Sequence, residues 1–409
     1  MQYGSIIQSF IELLEEICAF EYPADRVAHG FLKQRRYFGS KDRRQLTFWL
    51  YDFLRHYARI SHALSETMKV TPTSRLYALA YLRLVEKCSL EDLESVFNDN
   101  PYHASELTLT EKKIVKALKF HAHDLECPEW ILPYFERGFK ADTRKILESL
   151  NIEAPCDLRV NLLLTDRETV LKELDYLGIE AVETPISPWG IRLLKRINVT
   201  EIEIFKKGWI EIQDEGSQLV ALSANPKTTD FVVDLCAGAC GKTLAFSALM
   251  KNKGRNIATD IDARKLENGH KRIKRAGISN IQLKHLDPAG EKWLKRQRGK
   301  VDIVLVDAPC TGTGTWRRNP DHKWRLKEDD LKELVIIQAS LLNKASLLIK
   351  PKGVVVYATC SLLQEENEHQ ISQFLESHPE FMLEEESLLK LDPFQDKTDG
   401  FFCARLIKK

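Results

Sequence analysis

Asp234-Leu235-Cys236-Ala237-Gly238-Ala239-Cys240-Gly241-Lys242-Thr243 is where the fold of this chain is decided. The apolar run Phe231–Val233 precedes it, and a helix-forming run, Leu244–Lys251, follows. A buried strand that breaks into small residues and then opens a helix lets the backbone approach a ligand and offers it free amide groups. Two phosphate-binding readings fail here. A P-loop needs glycine where Cys236 stands, and the dinucleotide fingerprint needs glycine where Cys240 stands. Taken alone, the turn fits a binding loop and a purely structural loop about equally.

Downstream, strands and helices alternate. The predicted strands are Phe231–Leu235, Asn256–Asp260, Ile281–His285, Val301–Val306 and Val354–Ala358. Leu244–Lys251, Arg264–Ala276, Asp329–Ile349 and Glu365–Ser377 are the helices between or after them. Such alternation specifies an open, mostly parallel, Rossmann-like α/β sheet, whose ligands bind outside the carboxyl ends of the strands. Asp260 ends the second strand about 20 residues after Gly238, where a carboxylate can hold two ribose hydroxyls. Asp262 competes for that role but is also placed to cap the next helix. Asp287 and Asp307 close the third and fourth strands. Carboxylates at successive strand ends, without a phosphate-binding turn, suit a cofactor with a ribose, an adenine amino group and a positive charge. S-adenosylmethionine has all three.

Upstream the pattern changes. Residues 1–145 carry apolar residues at helical spacing, in Ile6, Ile7, Phe10, Leu13, Leu14 and Ile17 and again in Leu46, Trp49, Leu50, Phe53, Leu54 and Tyr57. Ser40 and Asp42 are candidate caps for the helix bearing Arg43 and Arg44. Residues 146–215 read as a small α/β linking subdomain, and residues 216–409 as the catalytic domain. The expected architecture is an all-α bundle, then the linking subdomain, then the Rossmann-like domain.

The chain has 409 residues, 60 Lys+Arg against 59 Asp+Glu, and a hydrophobic fraction of 44%. These values exclude a disordered chain, a collagen-like repeat and a disulfide scaffold. Glu12, Glu15 and Glu16 interrupt the N-terminal apolar stretch, and no run is long enough to span a membrane. A cytoplasmic location is therefore expected. The 9 cysteines are scattered, with no CxxC pair or HxxxH cluster, so reduced thiols and no metal site are expected. No coiled-coil seam suggests self-association, and a monomer is expected.

Two cysteines stand apart from the rest. Cys310 follows the strand ending at Asp307, and Cys360 follows the strand Val354–Ala358, so both fall where a ligand should lie. Cys18, Cys88, Cys127, Cys156 and Cys403 read as small core residues. A thiolate is a strong nucleophile when positive charge lowers its pKa, and Lys242 or a sulfonium can supply that charge. Carbon 5 of cytosine needs such help. Thiolate addition at carbon 6 makes carbon 5 nucleophilic, and a base must later remove its proton. The target base must also leave its stack.

These residues resemble the Sun-type RNA cytosine-5 methyltransferases, most closely bacterial ribosomal RNA members with a NusB-like N-terminal domain. The motifs that carry the resemblance are Leu158-Arg159-Val160-Asn161, Ile212–Gln218, Asp307–Gly314, Arg318–Trp324, Thr359-Cys360-Ser361 with Glu365–Glu368, and Asp399–Phe402. In the N-terminal region it rests on Ala24-Asp25-Arg26 and Ser40–Arg44. The resemblance implies an S-adenosylmethionine-dependent class I methyltransferase acting on 16S ribosomal RNA. It implies Cys360 as the carbon-6 nucleophile, Cys310 in product release, Asp307 on the cytosine ring, and Lys242 bridging cofactor loop and site. Cys236, Ala237, Gly238, Ala239, Cys240, Gly241 and Lys242 would wrap the methionine part, with Asp260 on the ribose and Asp287 at the adenine end. Strand-end position alone does not choose between the two cysteines. The family's usual turn is Cys-Ala-Ala-Pro-Gly-Gly-Lys. Here Gly238-Ala239 replaces Ala-Pro and Cys240 replaces a glycine, and Gly238 is expected to take over the turn's flexibility.

Basic residues crowd positions 264–300, including Arg272 and Arg275, and suit phosphate contacts. Arg317, Arg318 and Trp324 are expected beside the site, in contact with RNA. In the helical domain Arg35, Arg36, Arg43 and Arg44 are RNA-binding candidates. Rival readings are a methyltransferase fold used only as an RNA-binding assembly factor, the same chemistry on transfer RNA, and an amino-group methyltransferase. The last would need an Asn or Asp-Pro-Pro-aromatic motif in place of Asp307-Ala308-Pro309-Cys310.

Overall fold

The computed structural model describes residues 3–68, 71–120 and 125–409, which form two compact units. The first joins Met1–Ile152 to the distant segment Trp316–Lys327. Regular structure in its described residues is helical. Helix Tyr3–Ile17 buries Ile6, Ile7, Phe10, Leu13, Leu14 and Ile17, as a stripe at 3.6-residue spacing must. Helix Ser40–Arg55 buries Leu46, Trp49, Leu50, Phe53 and Leu54. The Phe10 ring lies 5.6 Å from Trp49 and 5.4 Å from Tyr81. The cap of that second helix differs from expectation. Gly39 is the N-cap and Ser40 is already helical, while the Asp42 carboxylate accepts the Gly39 amide at 3.2 Å.

Polar bonds as well as packing tie the late segment into this unit. Asp321 accepts the Ala24 amide at 3.1 Å. The Lys323 ammonium donates to Glu126 O and Asn151 Oδ1, both at 3.0 Å. Burial pulls the Lys323 pKa down to about 8, with Glu126 opposing.

The second unit comprises Glu153–Thr315 and Glu328–Lys409. It holds two sheets. The smaller is antiparallel, with β1 (Cys156–Val160), β2 (Ala181–Glu183), β3 (Gly190–Leu193) and β4 (Ile210–Ile212) in the order β2-β3-β1-β4. The larger contains β5 (Phe231–Asp234), β6 (Arg255–Asp260), β7 (Ile281–His285), β8 (Val301–Asp307), β9 (Ile349–Thr359), β10 (Phe381–Leu383), β11 (Leu389–Leu391) and β12 (Phe401–Lys408). Its order is β10-β12-β9-β8-β5-β6-β7, with β11 on β12. Strands β5 to β9 pair in parallel, whereas β12 runs antiparallel to β9. The central strands are apolar on both faces, with Val232, Val233, Val304, Leu305, Val355 and Val356 fully buried, as helices covering both sides require. Strand order reverses around β5, which pairs β6 on one side and β8 on the other. The crevice outside the carboxyl end of β5 is thus the switch point where such sheets bind ligands.

Candidate active site

The turn after β5 sits at that switch point, and the structure corrects one expectation about it. Gly238 and Cys240 both lie in the left-handed region, with φ of +52° and +64°. Gly238 therefore does not relieve Cys240, which adopts the conformation usually given to glycine and serves as N-cap of helix Gly241–Leu249. A non-glycine residue there costs about 1–2 kcal/mol. The Cys240 side chain is completely buried, and burial pushes its thiol up to about 12. It can be accommodated because position 269 lacks a side chain: a Cβ on Gly269 would stand 2.5 Å from Cys240 Sγ.

The open face of the turn fits an adenosyl group. A Cβ on Gly238 would meet nothing within 4 Å, so the backbone there borders free space. Asp260, 7% exposed at the end of β6, accepts the Gly238 amide through Oδ2 and the Asp262 amide through Oδ1, each at 2.8 Å. Both oxygens are thereby oriented, and each keeps a lone pair for a ribose hydroxyl. Asp262 caps helix Ala263–Arg275 through the Arg264 amide. Asp287 likewise caps helix Pro288–Lys295, accepting the Gly290 amide at 2.7 Å, and that backbone bond is the main cause of its lowered pKa.

Strands β8 and β9 bring the reactive side chains together. Asp307 is the last residue of β8, and its Oδ2 takes a 2.7 Å bond from Lys242 Nζ. Burial works against the Lys242 cation, but the charge and hydrogen bond of Asp307, with Cys360 nearby, raise its pKa on balance. The Sγ atoms of Cys310 and Cys360 are 3.4 Å apart, and both residues are half-buried. The Cys310 thiol is pushed well above the ordinary range, first by its hydrogen bond to Cys360 and then by burial and the Cys360 and Glu366 charges. The catalytic candidates thus form one cluster, in which a protonated Cys310 can donate to Cys360.

Several residues of this cluster escaped sequence reasoning. Glu366 is fully buried; its Oε1 accepts the Thr311 amide at 2.8 Å and Gln338 Nε2 at 2.9 Å, and its Oε2 accepts the Thr311 hydroxyl. It fixes the loop that carries Cys310. The signal was the Glu365–Glu368 stretch after Cys360, whose carboxylates carried no assigned role. Asp234 lies beneath the turn, hydrogen-bonded to Thr243 Oγ1 at 2.7 Å. Burial raises its pKa to about 7, partly countered by the Thr243 bond.

The basic residues divide. Arg272 and Arg275 both clamp the buried Glu211 carboxylate and are only part-exposed. Arg264, Lys265, Lys271 and Lys274 are exposed. Arg317, Arg318 and Trp324 belong to the helical unit. There the Trp324 indole donates to Leu54 O at 2.8 Å and its ring packs 5.2 Å from Tyr57, while Arg317 is 5% exposed. Arg43 donates to Phe38 O at 3.0 Å and Arg44 is exposed.

The comparisons agree with this architecture. The family model described as 16S rRNA methyltransferase RsmB/F matches residues 221–407, and the one for its ferredoxin-like domain matches residues 127–200. Ribosomal RNA small subunit methyltransferase B of Yersinia pseudotuberculosis is 33% identical over 299 residues, covering 72% of this chain and 69% of that one. The crystal structure of PH0851 superposes with a TM-score of 0.81 at 27% identity, covering 100% of this chain and 99% of that one. A methyltransferase homologue from Pyrococcus horikoshii has a TM-score of 0.60 at 29% identity, over 68% of this chain and 94% of its own. The chain belongs to the RsmB/F family of 16S rRNA methyltransferases.

Proposed function

We propose that this chain methylates carbon 5 of a cytosine in 16S ribosomal RNA through a covalent bond between Cys360 and carbon 6. The observation that carries the reading is the 3.4 Å pair of thiols beside the Lys242–Asp307 ion pair. S-adenosylmethionine, the methyl donor of this methyltransferase, supplies an electrophilic methyl group and leaves as a neutral thioether. The turn Cys236–Lys242 and Asp260 would hold it. Everything else falls to the protein's own groups.

Cys360 attacks carbon 6 as the thiolate; the sulfur–carbon bond forms and the ring's 5,6 electron pair shifts to carbon 5, which takes the methyl group. Asp307, oriented by Lys242, accepts a hydrogen bond from the exocyclic amino group of the cytosine and so holds the ring in place for Cys360. The high pKa of Cys310 keeps its proton in place while Cys360 is anionic. Once Cys360 has passed its charge to the adduct, the main cause of that high pKa is gone. Cys310 can then release its proton to solvent and, as a thiolate, take the proton from carbon 5. Elimination restores the 5,6 double bond and returns Cys360 as thiolate.

The test is methyl transfer to 16S rRNA with denaturing electrophoresis of protein–RNA complexes. Cys360→Ala should abolish both methylation and any covalent complex. Cys310→Ala should stall after methyl transfer and accumulate the covalent complex. A covalent complex persisting in Cys360→Ala, or a methyl group mapped to any atom other than carbon 5, would refute the reading.

A further inference from the structure

Two guanidinium groups grip the turn from outside, at the carbonyls flanking Cys240. Arg272 donates through Nη1 to Ala239 O at 2.8 Å. Arg159 donates through Nη1 to Gly241 O at 2.7 Å. Each is itself held from the smaller sheet. Arg272 is paired with Glu211 on β4, at 3.1 and 3.0 Å to one oxygen. Arg159, on β1 and 3% exposed, also meets Gln213 Oε1 at 2.5 Å. The residue between the two gripped carbonyls is the one left-handed residue of the turn that is not glycine. A strained residue persists only where its surroundings over-determine it. The Cys240 amide in turn closes the loop on Ala237 O at 2.7 Å, and Gly238 on the other side borders free space.

We infer that Arg159 and Arg272 are positioning residues for the methyl-donor loop, and that Cys240 makes the loop depend on them. The linking subdomain then acts as part of the donor site rather than as a spacer. The inference rests on reading Cys236–Lys242 as the donor loop.

Calorimetric titration of the full-length protein with S-adenosylhomocysteine tests both layers separately. Arg272→Met should weaken binding about tenfold or more, and raise the KM for the donor while kcat at saturating donor stays within about threefold. Adding Cys240→Gly should bring affinity back to within about threefold of the unmodified protein, because glycine holds the left-handed turn unaided. Arg272→Lys, which keeps a charge near Glu211 without the forked donor, should fall between and serves if the Met variant does not fold. Unchanged affinity in both Arg272 variants overturns the positioning role alone, as does failure of Cys240→Gly to restore binding. No binding by the unmodified protein overturns the donor-loop reading as well.

Discussion

The thiols of Cys310 and Cys360 meet at 3.4 Å although 50 residues and two different strands separate them. The parallel pairing of β8 with β9, which sets Asp307 opposite Ala358, creates this meeting. Its largest electrostatic consequence falls on Cys310, whose proton is held on chiefly by Cys360. Cys360→Ala should therefore make Cys310 more reactive toward iodoacetamide at pH 8, on the order of tenfold for each pKa unit released. Peptide mass spectrometry over a labelling time course reads this directly. An unchanged Cys310 rate would mean that burial, not its neighbour, controls the thiol.

Asp234 predicts a pH dependence of stability. Its folded pKa is raised to about 7 by burial, against about 4 for an exposed carboxylate. Between those values the folded chain holds a proton that the unfolded chain has released. The sign follows: this contribution is fully present below about pH 4, declines as pH rises to 7, and is absent above. The slope is up to about 1.4 kcal/mol per pH unit. Asp234→Asn keeps an oxygen for the Thr243 hydroxyl and cannot ionise. Its melting temperature should vary less between pH 5 and 7 than that of the unmodified protein, and should exceed it at pH 8. Parallel melting curves across that range would count against a protonated Asp234.

The sheet was readable because its central strands are apolar runs, three of them ended by Asp234, Asp260 and Asp307; four of the five predicted strands lie within a residue of their expected bounds, while β9 starts at Ile349, five residues before the expected Val354. The strand-end positions of Cys310 and Cys360 followed from that reading, whereas the Lys242 bridge to the site came only from the family resemblance. Less readable were features whose partner lies far away in sequence. Nothing near Trp324 announces that its indole bonds to Leu54 O, 270 residues earlier. Arg272 and Arg275 look like their solvent-facing neighbours on the same helix, and nothing near them in sequence announces their pairing with Glu211 on β4. Cys240 is a further case, because the glycine that accommodates its sulfur stands on the following helix.

That last relationship gives a double-mutant test. Gly269→Ala would set a Cβ 2.5 Å from Cys240 Sγ, and both groups are buried. Overpacking of this kind costs about 1–3 kcal/mol. Removing the sulfur with Cys240→Gly should make Gly269→Ala nearly neutral, so the two changes should couple by most of the single-variant cost. Denaturant unfolding of the four proteins measures the coupling. Additive effects would show that the alanine methyl clashes elsewhere.

Glu366 provides a test of how the Cys310 loop is held. Its charge helps to hold the Cys310 proton, and it takes both hydrogen bonds offered by Thr311 and a third from Gln338. Glu366→Gln replaces one accepting oxygen with a donating amide. With the amide in the Oε1 place, Thr311 N–H and Gln338 Nε2 would face a donor, a loss of about 1–3 kcal/mol; in the Oε2 place, the Thr311 hydroxyl must turn from donating to accepting and give its proton to Ser361 Oγ instead. Thr311 adjoins Cys310, so the strain should appear in the step that Cys310 serves. The expected pattern is a lower kcat with little change in the donor's KM, together with more covalent protein–RNA complex at steady state. Glu366→Ala should destabilise the fold further by opening a cavity. A Glu366→Gln protein that turns over normally while melting several degrees lower would assign this carboxylate to stability alone.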